Sequence, residues 1–283
     1  MKARDFIALT KPSITRMCLI MAAGGLALAP GSVSLGTGIA AFIGIALAVG
    51  GANAFNMWWE RDTDRFMSRT KRRPLPAGRM APQAAFVFAA ALSVLSLLVL
   101  AIGTNVLTAI LAGLAIFSYV AIYTPSKYRT PAALVIGAVP GAAPPLLGWT
   151  AVTGSIDPPA VVLFLILLVW QMPHFIAIAL YRKQEYARAG IKVVPLVRGD
   201  AVAKIHAVAW TLILVPLTLL LVPMGSAGGV YFLAAALLGA AFLGWSFTGL
   251  DNDAGDRWAR NYFLASLVYL PALTLALVAD VVL

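Results

Sequence analysis

The chain predicts an all-α polytopic membrane protein, with nine transmembrane helices around a central cavity, a cytoplasmic N-terminus and a C-terminus outside. Three observations point there. Hydrophobic residues make up 61% of the 283 and charged residues only 11%, with a mean hydropathy of +0.90. That is too little charge to cover a soluble domain. Nine apolar stretches each approach the roughly 20 residues that a spanning helix requires. Finally, Lys and Arg gather in alternate connections only, which is the positive-inside pattern.

The first stretch, about 14–30, is short and follows a basic tail containing Lys2, Arg4 and Lys11, with Arg16 at its start. The second, about 36–57, runs into the most charged segment of the chain. Spans at about 82–101 and 104–123 follow, joined by a connection without Lys or Arg. The fifth, about 131–150, contains Pro140, Pro144 and Pro145. Proline removes an amide donor and kinks a helix, and the freed carbonyls need partners in protein or in a wet cavity. This span is therefore expected to border the cavity. The sixth, about 158–180, carries His174 near its end, and the seventh to ninth (203–222, 228–247 and 261–280) are the cleanest runs. Glycines such as Gly24, Gly25, Gly137 and Gly141 suit close helix approach in lipid.

The basic segments are the N-terminal tail, the loop at 61–79, Lys127 with Arg129, the loop at 182–204, and Arg257 with Arg260. Nine spans put all of these on one side, while the connections around 31–35, 102–104, 151–157 and 223–229 carry no Lys or Arg. The net charge of +10 thus belongs to one membrane face and implies no nucleic-acid partner. Cys18 is alone, which excludes a disulfide framework. No signal or transit peptide is visible, so a bacterial plasma (inner) membrane is expected. The two long charged loops lie four spans apart, the spacing of a duplicated helix-loop-helix unit, although their residues barely repeat.

The segment from Asn56 to Pro76 crowds Glu60, Asp62 and Asp64 together with Arg61, Arg65, Arg69, Lys71, Arg72 and Arg73. Asn56, Glu60 and Asp64 recur every four residues, so on a helix they share one face. An amide and two carboxylates form a hard-oxygen set of the kind Mg²⁺ prefers, and Mg²⁺ often completes its shell with phosphate oxygens. Arginines just downstream suit the grip of a diphosphate. The plainer alternative is a solvated basic loop. The second long loop, Tyr181 to Pro195, again mixes an acid, Glu185, with bases, including Arg182 and Lys183.

Asn56-x-x-x-Glu60-x-x-x-Asp64 followed by Arg69-Thr70-x-x-Arg73-Pro74-Leu75 resembles the intramembrane UbiA-type prenyltransferase superfamily. Within it, the chain is most similar to the protohaem IX farnesyltransferase (haem O synthase) branch. That closer likeness rests on Tyr123-Thr124-Pro125-Ser-Lys127, on the stretch Ile136 to Gly154, on Trp170-Gln-Met-Pro-His174-Phe175, and on Glu185-Tyr186-Ala-Arg188-Ala-Gly190. The resemblance implies transfer of a farnesyl group from farnesyl diphosphate to the vinyl group of protohaem IX, with Mg²⁺ as cofactor. It implies a metal site of Asn56, Glu60, Asp64 and Glu185, and diphosphate contacts from Arg69, Arg73, Lys127, Arg129, Arg182 and Lys183. Expected partners are the lipid bilayer and the downstream haem A synthase or oxidase assembly factors. Three departures stand out: Glu60 replaces the usual Asp, Gln184 replaces a frequent acid, and Tyr128 replaces a frequent Arg, which leaves Arg129 to make that contact.

His174 is open to three readings: haem ligand, proton-handling group, or a histidine bonded to a neighbouring helix. For His206, at the start of the seventh span, a structural role is favoured. Trp58 and Trp59 suit an interfacial belt, and Asp251, Asp253 and Asp256 suit a solvated turn or helix cap. Two other functions compete. One is the same chemistry on a quinone, phenolic or chlorophyllide acceptor. The other is a secondary transporter, disfavoured because the ionisable residues sit in the loops and leave the midplane nearly free of charge.

Overall fold

A computed structural model describes residues 2–282, and the side chains of residues 2–280. The helices are α1 (Ala3–Leu9), α2 (Pro12–Leu28), α3 (Leu35–Trp59), α4 (Pro82–Gly103) and α5 (Val106–Ser126), then α6 (Ala133–Gly141) and α7 (Ala143–Thr153). They continue with α8 (Pro158–Tyr181), α9 (Lys183–Arg188), α10 (Val194–Val197), α11 (Asp200–Leu219), α12 (Gly229–Thr248) and α13 (Asp256–Val282). Among the described residues, eight spans are long and apolar enough to cross a membrane. The pair α1 and α2, bent by 50°, makes a ninth if counted as one. The chain is a multi-pass membrane protein.

Local chemistry sets the ends. Ser34 caps α3 by accepting from the Thr37 amide at 3.0 Å, and prolines open α2, α4 and α8, where a missing amide costs nothing. The fifth predicted span breaks at Ala142 into α6 and α7. One carbonyl before the break, that of Ala138, takes the Gln171 side-chain amide at 3.1 Å. Within α5 the ladder widens to a π-turn over Ser118–Tyr123, a feature frequent at functional sites.

In lipid, apolar surface does not drive helices together, so close packing and interhelical hydrogen bonds hold the bundle. Gly25 and Gly148 interlock α2 with α7: a Cβ on Gly25 would collide with the Pro145 carbonyl, and one on Gly148 with that of Ala22. Ser96 donates to the Gly44 carbonyl at 2.8 Å, tying α4 to α3. Tyr262 and Thr211 bond at 2.6 Å, tying α13 to α11. Bonds of this kind average about 0.6 kcal/mol each.

The predicted basic segments converge at one end of the bundle. Lys11 reaches Asn56, Lys127 reaches Glu60, and Ser68 reaches Glu185. The Lys192 amide donates to the Lys127 carbonyl at 2.9 Å.

Candidate active site

The four-residue spacing of Asn56, Glu60 and Asp64 survives beyond the helix that starts it. The helix ends at Trp59, yet the Glu60 amide donates to the Asn56 carbonyl at 2.9 Å and the Asp64 amide to the Glu60 carbonyl at 2.8 Å. Asp64 thereby enters a short 3₁₀ turn, Thr63–Phe66, on the same face as the other two. The loop then folds back: Thr70 donates to the Asp64 carbonyl at 2.7 Å, and Arg73 donates to its carboxylate at 2.7 Å.

All three side chains are buried, Glu60 at 6% and Asp64 at 4% exposure, and each has a partner of opposite charge or a polar contact. Lys127 donates to Glu60 at 2.7 Å, and Lys11 to the Asn56 side-chain oxygen at 2.9 Å. The Asn56 amide donates to Thr124 at 3.3 Å, and Tyr128 meets Thr63 at 2.7 Å. Burial pushes the Glu60 carboxyl up, but the charge and hydrogen bond of Lys127, with the Lys11 charge and the Asn56 hydrogen bond, together outweigh it and hold that carboxyl below its ordinary value. At Asp64 burial outweighs Arg73 and raises the carboxyl. The rest of the loop is as solvated as its plain reading expected: Asp62, Arg65, Lys71 and Arg72 are exposed.

These residues form the charged mouth of a cavity of about 690 Å³. Its deeper walls are apolar or aromatic and include Met21, Tyr119, Leu167, Trp170 and Leu270. His174 lines the same cavity. Its Nδ1 meets Ser266 Oγ at 2.8 Å, while that hydroxyl donates to the Phe263 carbonyl at 2.6 Å. A hydroxyl has one proton to give, so Nδ1–H is the donor to Ser266 and Nε2 carries the free lone pair. Nε2 has no protein partner among the described residues. Trp170 stacks on the ring at 4.7 Å and donates to the Ser266 carbonyl at 3.0 Å.

Residues 18–267 match the UbiA prenyltransferase family. The chain belongs to this family. It is a prenyltransferase. It is similar to the protoheme IX farnesyltransferase of Myxococcus xanthus, at 49% identity over 98% of this chain and 95% of the relative. The protein of the same name from Sorangium cellulosum is 53% identical over 84% of this chain and 85% of its own length. Two solved structures share the fold at 18% identity. One is of a digeranylgeranylglyceryl phosphate synthase, with a TM-score of 0.82 over 99% of this chain and 98% of that one. The other is a UbiA homologue from Archaeoglobus fulgidus bound to DMAPP and Mg²⁺, with a TM-score of 0.70 over 97% and 99%.

Of the site residues expected from sequence, Asn56, Glu60, Asp64, Arg69, Arg73, Lys127 and His174 line this cavity in the UbiA-family chain. Glu185, Arg129, Arg182 and Lys183 do not. Glu185 lies over the mouth, accepting from Ser68 and from Arg182, each at 2.9 Å. Lys183 pairs with Asp200 at 2.8 Å, and Arg129 is exposed. The expected four-residue metal set is therefore not assembled: among the described residues no three of His, Cys, Asp and Glu group to hold an ion. Asn56, Glu60 and Asp64 still fit a hard cation through their oxygen chemistry. The second Glu185 oxygen is buried without a partner among the described residues, outside that cavity. Sequence reasoning missed Lys11, Thr124, Lys192 and Ser266. Thr124 sits in the Tyr123–Lys127 segment already singled out, whereas Ser266, 92 residues from His174, had no local signal.

Proposed function

We propose that this prenyltransferase transfers a farnesyl group from farnesyl diphosphate to a vinyl group of protohaem IX, giving haem O. The observation that carries the reading is a single cavity joining the charged mouth at Asn56, Glu60 and Asp64 to an apolar interior where His174 offers a free imidazole nitrogen. The named relatives and the DMAPP- and Mg²⁺-bound neighbour support it.

In this reading the mouth holds the diphosphate and the apolar walls hold the isoprenyl chain and the porphyrin. Asn56, Glu60 and Asp64 would hold Mg²⁺, while Glu185 stays paired with Arg182 and Ser68 outside the cavity. Bound there, Mg²⁺ neutralises negative charge on the departing diphosphate. Arg69, Arg73 and Lys127 supply charge-assisted hydrogen bonds to the same group. The C1–O bond of the donor breaks, and the terminal vinyl carbon forms a bond to C1. The cation left on the neighbouring carbon takes hydroxide from water, whose proton goes to solvent. The apolar cavity keeps water away from the allylic cation before that bond forms. His174 binds the haem iron through Nε2, as imidazole commonly does. The Lys and Arg asymmetry supports a mouth facing the cytoplasm, and the membrane of this reading is a bacterial inner membrane.

The test is membranes carrying the protein with haem B, farnesyl diphosphate and Mg²⁺, read by mass spectrometry. The expected pigment gains one farnesyl group and one hydroxyl, and chelation stops its formation. Prenylation of a quinone or phenolic acceptor, with haem left unchanged, would sink the reading.

A further inference from the structure

Lys11 is the sole non-glycine residue with a positive φ among the described residues, at φ 48° and ψ 69°. A lysine has no side-chain device that favours the left-handed region, and such conformations persist where the surroundings impose them. Here α1 imposes it. Arg79 pairs with the buried Asp5 at 3.0 Å and also donates to the Arg72 carbonyl at 3.1 Å, which fixes α1 to the first charged loop. At the turn itself, the Thr10 carbonyl accepts from Thr15 at 2.9 Å, and Gly50 of α3 leaves room for the Thr10 side chain. Pro12 then starts α2 at once.

This geometry aims Lys11 inward. Its ammonium donates to the side-chain oxygen of Asn56, a residue 1% exposed, and it lines the cavity beside Glu60 and Asp64. Among the described residues no carboxylate pairs with it, whereas Arg73 and Lys127 each have one. The charged groups lining the cavity are Lys11, Arg69, Arg73, Lys127 and Lys192 against Glu60 and Asp64. Five basic side chains thus face two carboxylates around one cavity, an arrangement that suits a polyanionic ligand.

Resting on the donor-site reading above, we propose that Lys11 is a diphosphate-binding residue, delivered from the N-terminal side by α1, which is anchored on the first charged loop. Its bond to Asn56 is the position it leaves when the anion arrives, and this also frees the Asn56 oxygen. A lysine ammonium suits the role as a compact point charge on a flexible stem. The acceptor's carboxylates are disfavoured as its target, because Lys11 shares Asn56 with the acidic face and not the His174 wall.

Lys11→Gly separates function from fold, because glycine accepts the left-handed turn without strain. The thermal midpoint of the purified full chain is expected to stay level or rise. The Kd for farnesyl diphosphate with Mg²⁺ should weaken about 10-fold or more, the usual scale for losing a charged hydrogen bond. Lys11→Arg should recover part of that affinity, and protohaem IX titrated by absorbance should bind within twofold of wild type. Inorganic diphosphate with Mg²⁺ is the second arm. If Lys11→Gly weakens it while the wild type ignores the farnesyl ester, Lys11 stands and the donor assignment falls. Unchanged affinity of Lys11→Gly for both diphosphates overturns the proposal. So does a loss confined to protohaem IX, which would make Lys11 a contact for acceptor carboxylates.

Discussion

Glu60 and Asp64, past the end of α3, are buried on the cavity wall, and each is held by a cation from farther along the chain. Glu185, in α9, draws on Arg182 three residues away and turns from the cavity toward Ser68. Acids and bases are mixed in both connections, so composition cannot separate them. The difference comes from the backbone. Hydrogen bonds from Asp64 to Glu60 and from Glu60 to Asn56 carry one helical face into the first loop, whereas the short α9 keeps its ion pair local. A local, partly exposed pair contributes about 0.5 kcal/mol. A buried pair joining distant segments fixes where α5 sits against α3, and breaking one side of it leaves a buried charge.

The largest effect that sharpens this contrast is on turnover. Asp64→Asn or Glu60→Gln is expected to cut the rate about 1000-fold, the upper scale for losing one preorganised electrostatic group. Glu185→Gln should cost less than about 10-fold in the same single-turnover assay, since losing a peripheral contact removes far less transition-state stabilisation. Equal losses at Asp64 and Glu185 would erase the distinction between the loops.

Stability gives the next test. Lys127→Met should destabilise by about 3 kcal/mol by stranding Glu60, and Lys127→Met with Glu60→Gln should recover part of it. Arg182→Met should stay within about 0.5 kcal/mol. Thermal unfolding of these three variants and of Glu60→Gln alone reads the coupling, and additive losses would mean that the buried pair is not a unit.

A smaller effect is expected on the opposite wall. Ser266→Ala removes the acceptor that holds Nδ1–H of His174, and outer partners of metal-binding histidines are typically worth 10- to 100-fold in affinity. Haem affinity should drop about 10-fold with diphosphate affinity unchanged, and His174→Ala should abolish the imidazole signature in the haem spectrum. Unaltered spectra in both variants would leave His174 a packing residue.

The smallest lies at the far end of the bundle and serves as a control on both loops. The indole N–H of Trp149 and then the hydroxyl of Ser155 hold the Asp157 carboxyl below its usual range. A depressed carboxyl contributes in full above its unfolded value, near pH 4, and that contribution fades as pH falls through the lower folded value. Tryptophan emission should therefore shift below about pH 4 in the wild type and not in Asp157→Asn. Turnover near neutrality should be the same in both.

Hydropathy made the spans readable because lipid forces every backbone group to bond within its own helix. The ends were harder. The last helix starts at Asp256 rather than near 261, because Arg257 and Arg260 lower the apolar average without hindering a helix at the interface. α1 did not register at all: seven residues that include Arg4 and Asp5 cannot resemble a span. The kink in the fifth span was legible from its prolines, but not the Ala142 break point. At the site, Asn56, Glu60 and Asp64 were legible through their period. The pairing of Lys127 with Glu60, and of Lys183 with Asp200 instead of the cavity, depends on how distant helices stack. The plainer reading of this segment was a solvated loop, but folding buries Glu60 and Asp64, and only their paired cations make that tolerable.

The hydrogen bond from His174 to Ser266 also bears on how the protein is made. Lys11, Asn56, Glu60, Asp64, Arg73 and Lys127 all precede residue 130, so the charged mouth can close once the first four spans are in the bilayer. The imidazole on α8 waits for Ser266 on α13, made 92 residues later, before its tautomer is fixed. Biogenesis from the N-terminus would then set the charged mouth while the wall carrying His174 is still unset. Chains halted at successive lengths should accordingly gain affinity for inorganic diphosphate before they gain any for haem.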